Sequence, residues 1–332
     1  MIVTKTPFRI SFVGGGSDLE SFYRHYQGAV LSTTINKYMY ISSHYFFDED
    51  KIRIKYSKTE TVADINEIQH PIVKEVIREF KINGALEISS NADVPTGTGL
   101  GSSSAFTVGL LHNLYTMLGE HVSKKRLAEE ACDIEINKLK EPIGRQDQYA
   151  VAFGGLNIIE FNPDGTVNVE PIHLKKEVYE VLEDNLVMFY TGENREASSI
   201  LTEQKQNLES NKDKINILKR MVSLVPQMQE TLHKGDLHKF GDILHQNWAF
   251  KQQLASKITN IYIDDLYTKA LKNGAVGGKI LGAGGGGFLL FYCEKKNQDQ
   301  LRKALFPLRE LKFKFDNEGS KIIYIGDEYG EY

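Results

Sequence analysis

Residues 95–105 combine three glycines at alternate positions with three consecutive serines, and no other segment of the chain carries a stronger chemical signal. Glycines at this spacing let the backbone adopt left-handed conformations that other residues avoid. The segment leads into a helical pattern, so free backbone N–H groups and the positive end of a helix dipole converge on one point. Such a point binds phosphate, and serine hydroxyls can reach a phosphate or a metal ion. A flexible loop in which Ser102 caps the helix is the alternative interpretation.

The phosphate-binding candidates all lie between residues 95 and 104. They are Pro95, Gly97, Thr98, Gly99, Leu100, Gly101, Ser102, Ser103 and Ser104. Two familiar phosphate motifs do not fit this sequence. Gly278-Lys279 is followed by Ile280 instead of Ser or Thr, so the Walker pattern is absent, and the protein-kinase catalytic signature is missing as well. The loop must therefore bind phosphate by another route.

A second glycine segment, residues 7–18, joins a predicted strand to an acidic residue. Three glycines at 14–16 precede Ser17 and Asp18, so Asp18 lies in a loop where the backbone can approach a ligand closely. The same residues suit a turn in which Asp18 caps the following helix. On this segment alone both interpretations stay open.

A third glycine segment, residues 282–287, matches the dinucleotide fingerprint G-x-G-x-x-G letter for letter. That fingerprint must follow a strand and open a helix. Here the glycines lead into residues 288–292, whose apolar and aromatic side chains predict a strand. We therefore reject a nicotinamide-dinucleotide site.

The elements that must position these loops follow strand and helix patterns in turn. Strands are predicted at 3–13, 39–45, 52–56, 86–90, 156–161, 186–190, 279–282, 287–293 and 321–325. Helices are predicted at 71–81, 103–118, 124–138, 196–209, 214–233, 236–256, 262–273 and 297–307. The composition shifts from strand-rich to helix-rich near residues 170–195. This shift predicts an α+β protein with domains at 1–180 and 181–332.

Length and composition exclude several classes of protein. The 332 residues include 41% hydrophobic and 25% charged side chains with a net charge of −4, which is typical of a globular protein with a large core. Scattered basic residues predict no nucleic-acid partner, and two distant cysteines exclude a disulfide framework or a cysteine-based zinc site. The apolar runs are too short for a bilayer span or a signal peptide. We therefore expect a cytoplasmic location and no membrane partner, as a monomer or a homodimer.

Taken together, the three glycine segments resemble those of the GHMP kinase superfamily, the small-molecule kinases named after galactose, homoserine, mevalonate and phosphomevalonate. The N-terminal strand and glycine loop, the central P-x-x-x-G-L-G-S-S-[AS]-A motif and the C-terminal glycine loop occur in the same order, from Pro7 to Phe291. The resemblance implies an N-terminal domain like ribosomal protein S5 domain 2 and a ferredoxin-like C-terminal domain. It also implies that ATP, with Mg²⁺, binds in the cleft between them.

The resemblance implies catalytic roles for two residues. Asp147, within the Gly-Arg-Gln-Asp-Gln-Tyr string at 144–149, would be the general base that takes the proton of the attacking hydroxyl. A buried structural carboxylate is the alternative. Arg9 would lie near Asp147 and the γ-phosphate. Arg145 would be a positioning group or the salt-bridge partner of Asp147, and a carboxylate near it and near metal-bound phosphates would stay ionised at neutral pH.

The resemblance likewise implies a magnesium site. Ser103 matches the hydroxyl that ligates Mg²⁺, and Glu135, twelve residues before Asp147, would be the second ligand. Glu129 and Glu130 would be surface charges, although a shift in register would exchange their role with that of Glu135. Magnesium would bridge the β- and γ-phosphates and neutralise charge during transfer.

The substrate follows from a departure within the family. Gly15-Gly16 stand where galactokinases have Glu-His, which argues against galactose. The F-R-I-S-F and R-Q-D-Q-Y strings resemble sugar 1-kinases that act on D-glycero-D-manno-heptose 7-phosphate or L-fucose. Without an attached nucleotidyltransferase, the chain is more similar to the heptose enzymes, which make the 1,7-bisphosphate for nucleotide-activated heptose synthesis. The implied substrate contacts are Asp18, Gly15, Gly16, Arg145, Arg195, Gly284 and Gly285.

A substrate that already carries a phosphate needs a second anion site, and Arg195 is the candidate because a guanidinium fork suits phosphate. Three alternatives to the heptose kinase stay open. One is another sugar 1-kinase of the same fold, such as an L-fucose kinase. Another is a kinase for a non-sugar such as mevalonate or homoserine. The third is a sensor that binds ATP and sugar without turnover, which would have no use for a base beside a metal ion.

Overall fold

The computed structural model describes residues 1–192 and 197–326, which form thirteen strands, eleven α-helices and three short non-α helical segments. The strands are β1 (Ile2–Val13), β2 (Gly28–Tyr45), β3 (Ile52–Lys55), β4 (Thr59–Val62), β5 (Leu86–Ala92), β6 (Asn157–Phe161), β7 (Val167–Pro171), β8 (Leu186–Tyr190), β9 (Ala275–Ile280), β10 (Phe288–Cys293), β11 (Arg309–Glu310), β12 (Phe315–Asp316) and β13 (Lys321–Ile325). The helices are α1 (Glu20–Tyr23), α2 (Pro71–Phe80), α3 (Ser102–Met117), α4 (Lys124–Cys132), α5 (Gln146–Phe153), α6 (Lys176–Asn185), α7 (Ala197–Ser210), α8 (Lys212–Lys234), α9 (Leu237–Lys251), α10 (Ile261–Lys272) and α11 (Gln298–Leu305). Single turns of 3₁₀-helix span Ile65–Glu67 and Lys295–Asn297, and a π-helical segment, Asp133–Lys138, continues α4.

A nine-stranded sheet forms the first half of the fold, with the strand order β13-β1-β2-β5-β3-β4. The long strand β2 also pairs with β6 and β12, and β7 extends the sheet beyond β6. Helix α3 packs on β1 and β2, and Gly109 lets it lie close to Thr6 and Ile41, because no side chain fills the gap. Most of the side chains of α3 are buried, so tertiary packing fixes the direction in which its N-terminus points.

A four-stranded antiparallel sheet, ordered β11-β8-β10-β9, forms the second half, and α9 and α10 pack on its strand β9. Contacts between the halves near the end of β1 include a ring contact and a buried lysine. Phe12 packs edge-to-face on Phe240 of α9, with ring centroids 5.3 Å apart. The ammonium of Lys279, on β9, donates to the carbonyl oxygens of Ser11 and Phe12 at 2.7 and 3.1 Å.

The α+β architecture expected from the sequence is confirmed by these sheets. The domain bounds at 1–180 and 181–332 stay a prediction, and the connectivity of the chain complicates them. Strands β12 and β13 pair with β2 and β1, so the chain returns to the first sheet after residue 311. A single division at residue 180 therefore separates strands that are hydrogen-bonded to each other. Within the described ranges, no helix is both long and apolar enough to cross a bilayer.

Most predicted elements coincide with observed ones, and the differences have local reasons. The strand predicted at 39–45 begins at Gly28 instead, because small and hydroxyl-bearing residues between 28 and 38 gave no apolar alternation. Helices α5 and α6 were not predicted. Helix α5 has just eight residues, too few to show a helical repeat of apolar positions.

The substitution Phe12→Ala tests the contact between the two halves. Removing a fully buried ring that also packs on Phe240 should lower the free energy of unfolding by about 3–5 kcal/mol. Urea denaturation followed by circular dichroism measures this loss. Phe47→Ala is the control, because that ring is 95% exposed and its removal should leave stability within about 0.5 kcal/mol of the wild type. Equal losses in the two variants would contradict the proposed contact.

Candidate active site

A cavity of about 310 Å³ lies where six segments meet: the loop after β1, the start of α3, the start of α5, helix α7, the end of α9 and the glycine loop between β9 and β10. Most of the residues predicted for the site line this one cavity. They are Arg9, Gly16, Asp18, Gly97, Gly99, Gly101, Ser102, Ser103, Ser104, Asp147 and Gly284.

The start of α3 has the form that the phosphate-loop prediction requires. Gly101 is the N-cap residue with a φ of 74°, and no side chain caps the helix. The interpretation of Ser102 as a capping residue is therefore wrong, since Ser102 is the first residue of the helix itself. Because no side chain caps the first amides of α3, these amides are free to bind an anion.

The central loop packs directly on the C-terminal glycine loop. A Cβ atom on Gly99 would collide with the carbonyl oxygen of Leu281, and one on Gly287 with that of Thr98. Three residues of the predicted loop, Pro95, Thr98 and Leu100, do not line the cavity. The Thr98 hydroxyl donates to the Pro95 carbonyl at 2.9 Å, and this hydrogen bond stabilises the conformation of the loop.

Arg9 and Asp147 form a bidentate ion pair at the cavity wall. The Nε and Nη2 atoms of Arg9 donate to the two carboxylate oxygens of Asp147 at 2.8 and 2.7 Å. The Arg9 side chain is 4% exposed and that of Asp147 is 23% exposed, so the carboxylate keeps one side open to the cavity. Arg9 also donates to the Gly99 carbonyl, which ties this pair to the phosphate loop.

Arg145 is not the partner of Asp147, and that part of the prediction is corrected. Its guanidinium donates to the Gly165 carbonyl at 2.7 Å and lies over the ring of Tyr23, where it lines a different cavity. The reason is helical geometry, because residues two apart at the start of α5 point in different directions. A substrate contact by Arg145 stays a prediction that this side-chain position does not favour.

Asp18 is buried beside Asp147 and does not cap the helix that follows it. Its carboxylate accepts hydrogen bonds from the backbone N–H groups of Gly16 and Gln146, at 2.9 and 3.2 Å, whereas α1 begins after Leu19 with no side-chain cap. Burial and the negative charge of Asp147 raise the pKa of Asp18. A carboxylate held this way, in the cavity wall, is suited to accept hydrogen bonds from a polar ligand.

Glu135 belongs to the π-helical segment that follows α4, and its side chain contacts the start of α3. Its buried carboxylate accepts hydrogen bonds from the hydroxyls of Ser103 and Ser104 and from the amide of Gln148 at 2.7 Å. Burial raises its pKa, an effect that these hydrogen bonds oppose. Glu130 instead pairs with Arg126, and the Glu129 side chain is 52% exposed, so the chain places Glu135 and neither of its neighbours against the phosphate loop.

Hard oxygen ligands are what Mg²⁺ prefers. A buried carboxylate beside a serine hydroxyl supplies two of them, and Glu135 has no basic partner among the described residues. The donor set therefore fits a magnesium ion that takes its other ligands from phosphate and water. No cluster of three or more His, Cys, Asp or Glu side chains that could hold a metal ion occurs in residues 1–192 and 197–326, so this candidate depends on one carboxylate and one hydroxyl.

Five polar residues of the cavity wall are not among those predicted from the sequence: Glu141, Gln146, Ser198, Gln204 and Lys251. The Gln146 Oε1 and Gln204 Nε2 atoms are buried without a hydrogen-bond partner among the described residues. A Cβ atom on Gly16 would collide with that Gln204 nitrogen, so the Gln204 amide occupies the space beside Gly16. Gln146 stands in the string at 144–149, but only the fold shows that it lines the cavity. No local pattern signals Gln204 or Lys251, because each is a single polar side chain within a helix.

The remaining predicted contacts have different positions. Gly284 lines the cavity, whereas Gly285 faces away and its N–H donates to the Ile258 carbonyl at 2.9 Å. Gly15 does not line the cavity, although its neighbour does. Arg195 lies outside the described residues, and its role stays a prediction.

Comparison with known families matches both halves of the chain. The family of GHMP kinases N terminal domains matches residues 67–155, and the family of GHMP kinases C terminal domains matches residues 228–308. A curated relative, the D-glycero-alpha-D-manno-heptose 7-phosphate kinase of Campylobacter jejuni, is 30% identical over 96% of this chain and 98% of its own length.

Solved structures have the same fold over nearly the whole chain. A putative sugar kinase from Campylobacter jejuni superposes with a TM-score of 0.77 at 29% identity, covering 98% of each chain. A D-glycero-D-manno-heptose 1-phosphate kinase from Bacteroides thetaiotaomicron gives a TM-score of 0.79, covering 98% of this chain and 100% of that one. At 24% identity, the second likeness shows the fold alone.

The two-sheet fold is that of a small-molecule kinase. The chain belongs to the GHMP kinase family. Its activity is accordingly that of an ATP-dependent sugar kinase, a phosphotransferase, and the expected two-domain fold is confirmed.

Two alanine substitutions in the phosphate loop test how closely the glycine loops pack. Gly97 and Gly99 have φ values of 75° and 82°, so an alanine at either position adds a left-handed residue at a cost of about 1–2 kcal/mol. Only Gly99→Ala also collides with backbone, which should add about 1–3 kcal/mol. We expect a clearly lower thermal midpoint for Gly99→Ala than for Gly97→Ala. Equal midpoints would show that the loops do not pack as described.

Proposed function

We propose that this chain transfers the γ-phosphate of ATP, with Mg²⁺, to the anomeric hydroxyl of D-glycero-D-manno-heptose 7-phosphate. The product would be the 1,7-bisphosphate, which supplies nucleotide-activated heptose synthesis. The observation that carries this proposal is the full-length similarity to the Campylobacter jejuni heptose 7-phosphate kinase. The absence of bulky residues at Gly15 and Gly16, where galactokinases have Glu-His, further supports it against galactose.

Asp147 would act as the general base of the transfer. Its carboxylate takes the proton from the anomeric O–H as that oxygen forms a bond to the γ-phosphorus. The bond from the γ-phosphorus to the β–γ bridging oxygen breaks at the same time, and ADP leaves with that electron pair. The bidentate pair with Arg9 fixes the orientation of the carboxylate towards the cavity. Positioning and electrostatics then account for most of the rate.

Ser103 and Glu135 would hold the magnesium ion. When bound, the ion supplies charge neutralisation at the β- and γ-phosphates. The amides at the start of α3 and the glycines at 97, 99 and 101 would hold the phosphates themselves, since they line the cavity and carry no obstructing side chain.

The sugar would bind between Asp18 and the glutamines. Asp18 is an acceptor for sugar hydroxyls, and Gln146 and Gln204 add one unpartnered acceptor and one unpartnered donor to the same wall. Buried polar atoms without partners are costly, so a ligand hydroxyl that pairs with them is favoured over one that does not. Arg195 stays our predicted contact for the substrate phosphate.

The substitution Asp147→Asn tests the assignment on a panel of acceptors. The panel is D-glycero-D-manno-heptose 7-phosphate, L-fucose, galactose, mannose and mevalonate, with ADP release as the measurement. We expect the wild type to turn over the heptose phosphate and Asp147→Asn to lose about 10³-fold in kcat, because the base is gone while nucleotide binding is kept. Turnover of a free sugar instead would retain the kinase and overturn the heptose phosphate. No turnover of any acceptor would favour the sensor.

The magnesium assignment is tested by Glu135→Gln. Loss of the carboxylate charge should weaken Mn²⁺ binding in the presence of ADP by at least about tenfold, measured by electron paramagnetic resonance. Glu129→Gln is the matched control, because it removes an exposed carboxylate from the same helical stretch. Unchanged Mn²⁺ binding in Glu135→Gln would contradict the proposed site.

A further inference from the structure

Lys251, the last residue of α9, places a buried ammonium in the wall of the active-site cavity. The residue is 6% exposed, and its Nζ donates to the carbonyl of Gly282 in the C-terminal glycine loop. Asp18, Asp147 and Arg9 line the same cavity. The catalytic role described above uses Asp147 and Arg9 and leaves this cation without a function.

The surroundings of Lys251 do not neutralise it in the free protein. An ammonium has three N–H donors, and among the described residues the Gly282 carbonyl is its hydrogen-bond acceptor. Burial and the positive charge of Arg9 lower the pKa of Lys251 to about 8, against the opposing effect of Asp18 and Asp147. Neither carboxylate lies within salt-bridge distance of it, since Asp147 is paired with Arg9 and Asp18 with backbone amides.

Lys279 shows what a purely structural lysine looks like in this fold. It is equally buried, but its ammonium is held by two carbonyls at the end of β1, and it does not line the cavity. It is also the remaining cation near Lys251, and the charges of Lys251 and Arg9 add to the effect of burial in lowering its pKa. Lys279 therefore joins the two sheets, whereas Lys251 faces the cavity.

We propose that Lys251 is a phosphoryl-binding residue, whose ammonium contacts the transferred γ-phosphoryl group of ATP and carries part of its charge during transfer. The inference rests on the proposed kinase function. A phosphoryl oxygen supplies the anion that this buried cation lacks, and the phosphate loop lines the same cavity. In phosphoryl transfer the charge is spread over the equatorial oxygens, so a fixed cation in the wall of that cavity stabilises the transition state.

Proton uptake on nucleotide binding tests this inference without any sugar. A phosphoryl anion beside Lys251 favours its protonated form and raises its pKa, so at pH 8.5 the enzyme should take up a large fraction of a proton when Mg²⁺ and the non-hydrolysable analogue AMPPNP bind. Calorimetry in two buffers of different ionisation enthalpy measures this uptake. We expect it in the wild type and in Lys279→Met, and we expect it to vanish in Lys251→Met. No uptake by the wild type would overturn the proposal.

Kinetics provide the second measurement. For the wild type, kcat/KM for ATP should decline above about pH 8, as the ammonium loses its proton. Lys251→Met should lower kcat by about 100-fold and abolish the decline of kcat/KM at high pH, whereas Lys251→Arg should recover part of the rate. If Lys251→Met lowered the stability but kept the wild-type kcat and the same decline of kcat/KM at high pH, Lys251 would only hold the glycine loop. The uptake experiment uses no sugar, so its result does not depend on whether the heptose phosphate is the acceptor. The proposal for Lys251 and the proposal for the acceptor can therefore be contradicted independently.

Discussion

Backbone contact between two glycine loops is the constraint on which the rest of this structure depends. The loop before α3 belongs to the first sheet and the loop after β9 to the second, and they touch where Gly99 meets Leu281 and Gly282. Because any side chain there would force the loops apart, the sequence must leave these positions empty. The contact fixes the amide end of α3 against the second sheet, and the cavity exists because both loops bound it.

Around that contact the protein buries several charged groups, which are held in two different ways. The carboxylates of Asp18 and Glu135 depend on hydrogen bonds from amides and hydroxyls, whereas Asp147 is matched by a guanidinium. Burying charge without full compensation costs stability, which a fold tolerates where a ligand will later complete the set. A site that transfers phosphate needs buried groups of both charges, because its reactants bring both anions and a divalent cation.

The sequence predicted the parts of the site that a local pattern encodes and missed those that only the fold assembles. The phosphate loop, Asp147 and Glu135 lie in strings with recognisable spacing, and the strand at 186–190 has the predicted bounds. Lys251 belongs to a helix that looks polar along the chain, and only the glycine loop across from it makes it a buried cation. Arg145 shows the opposite case, because it is a neighbour of Asp147 in sequence but its guanidinium binds the Gly165 carbonyl instead.

The return of the chain to the first sheet, through β12 and β13, also bears on the order of assembly. Strand β1 pairs with β13 from Ile2↔Ile325 onwards, so the outer edge of β1 stays uncovered until β13, far along the chain, has been synthesised. During translation the nascent sheet therefore presents an open backbone edge, which is where unwanted strand pairing between chains begins. Contacts of such long sequence separation form slowly. The ribosome-bound chain thus has a period of vulnerability that the finished kinase does not share.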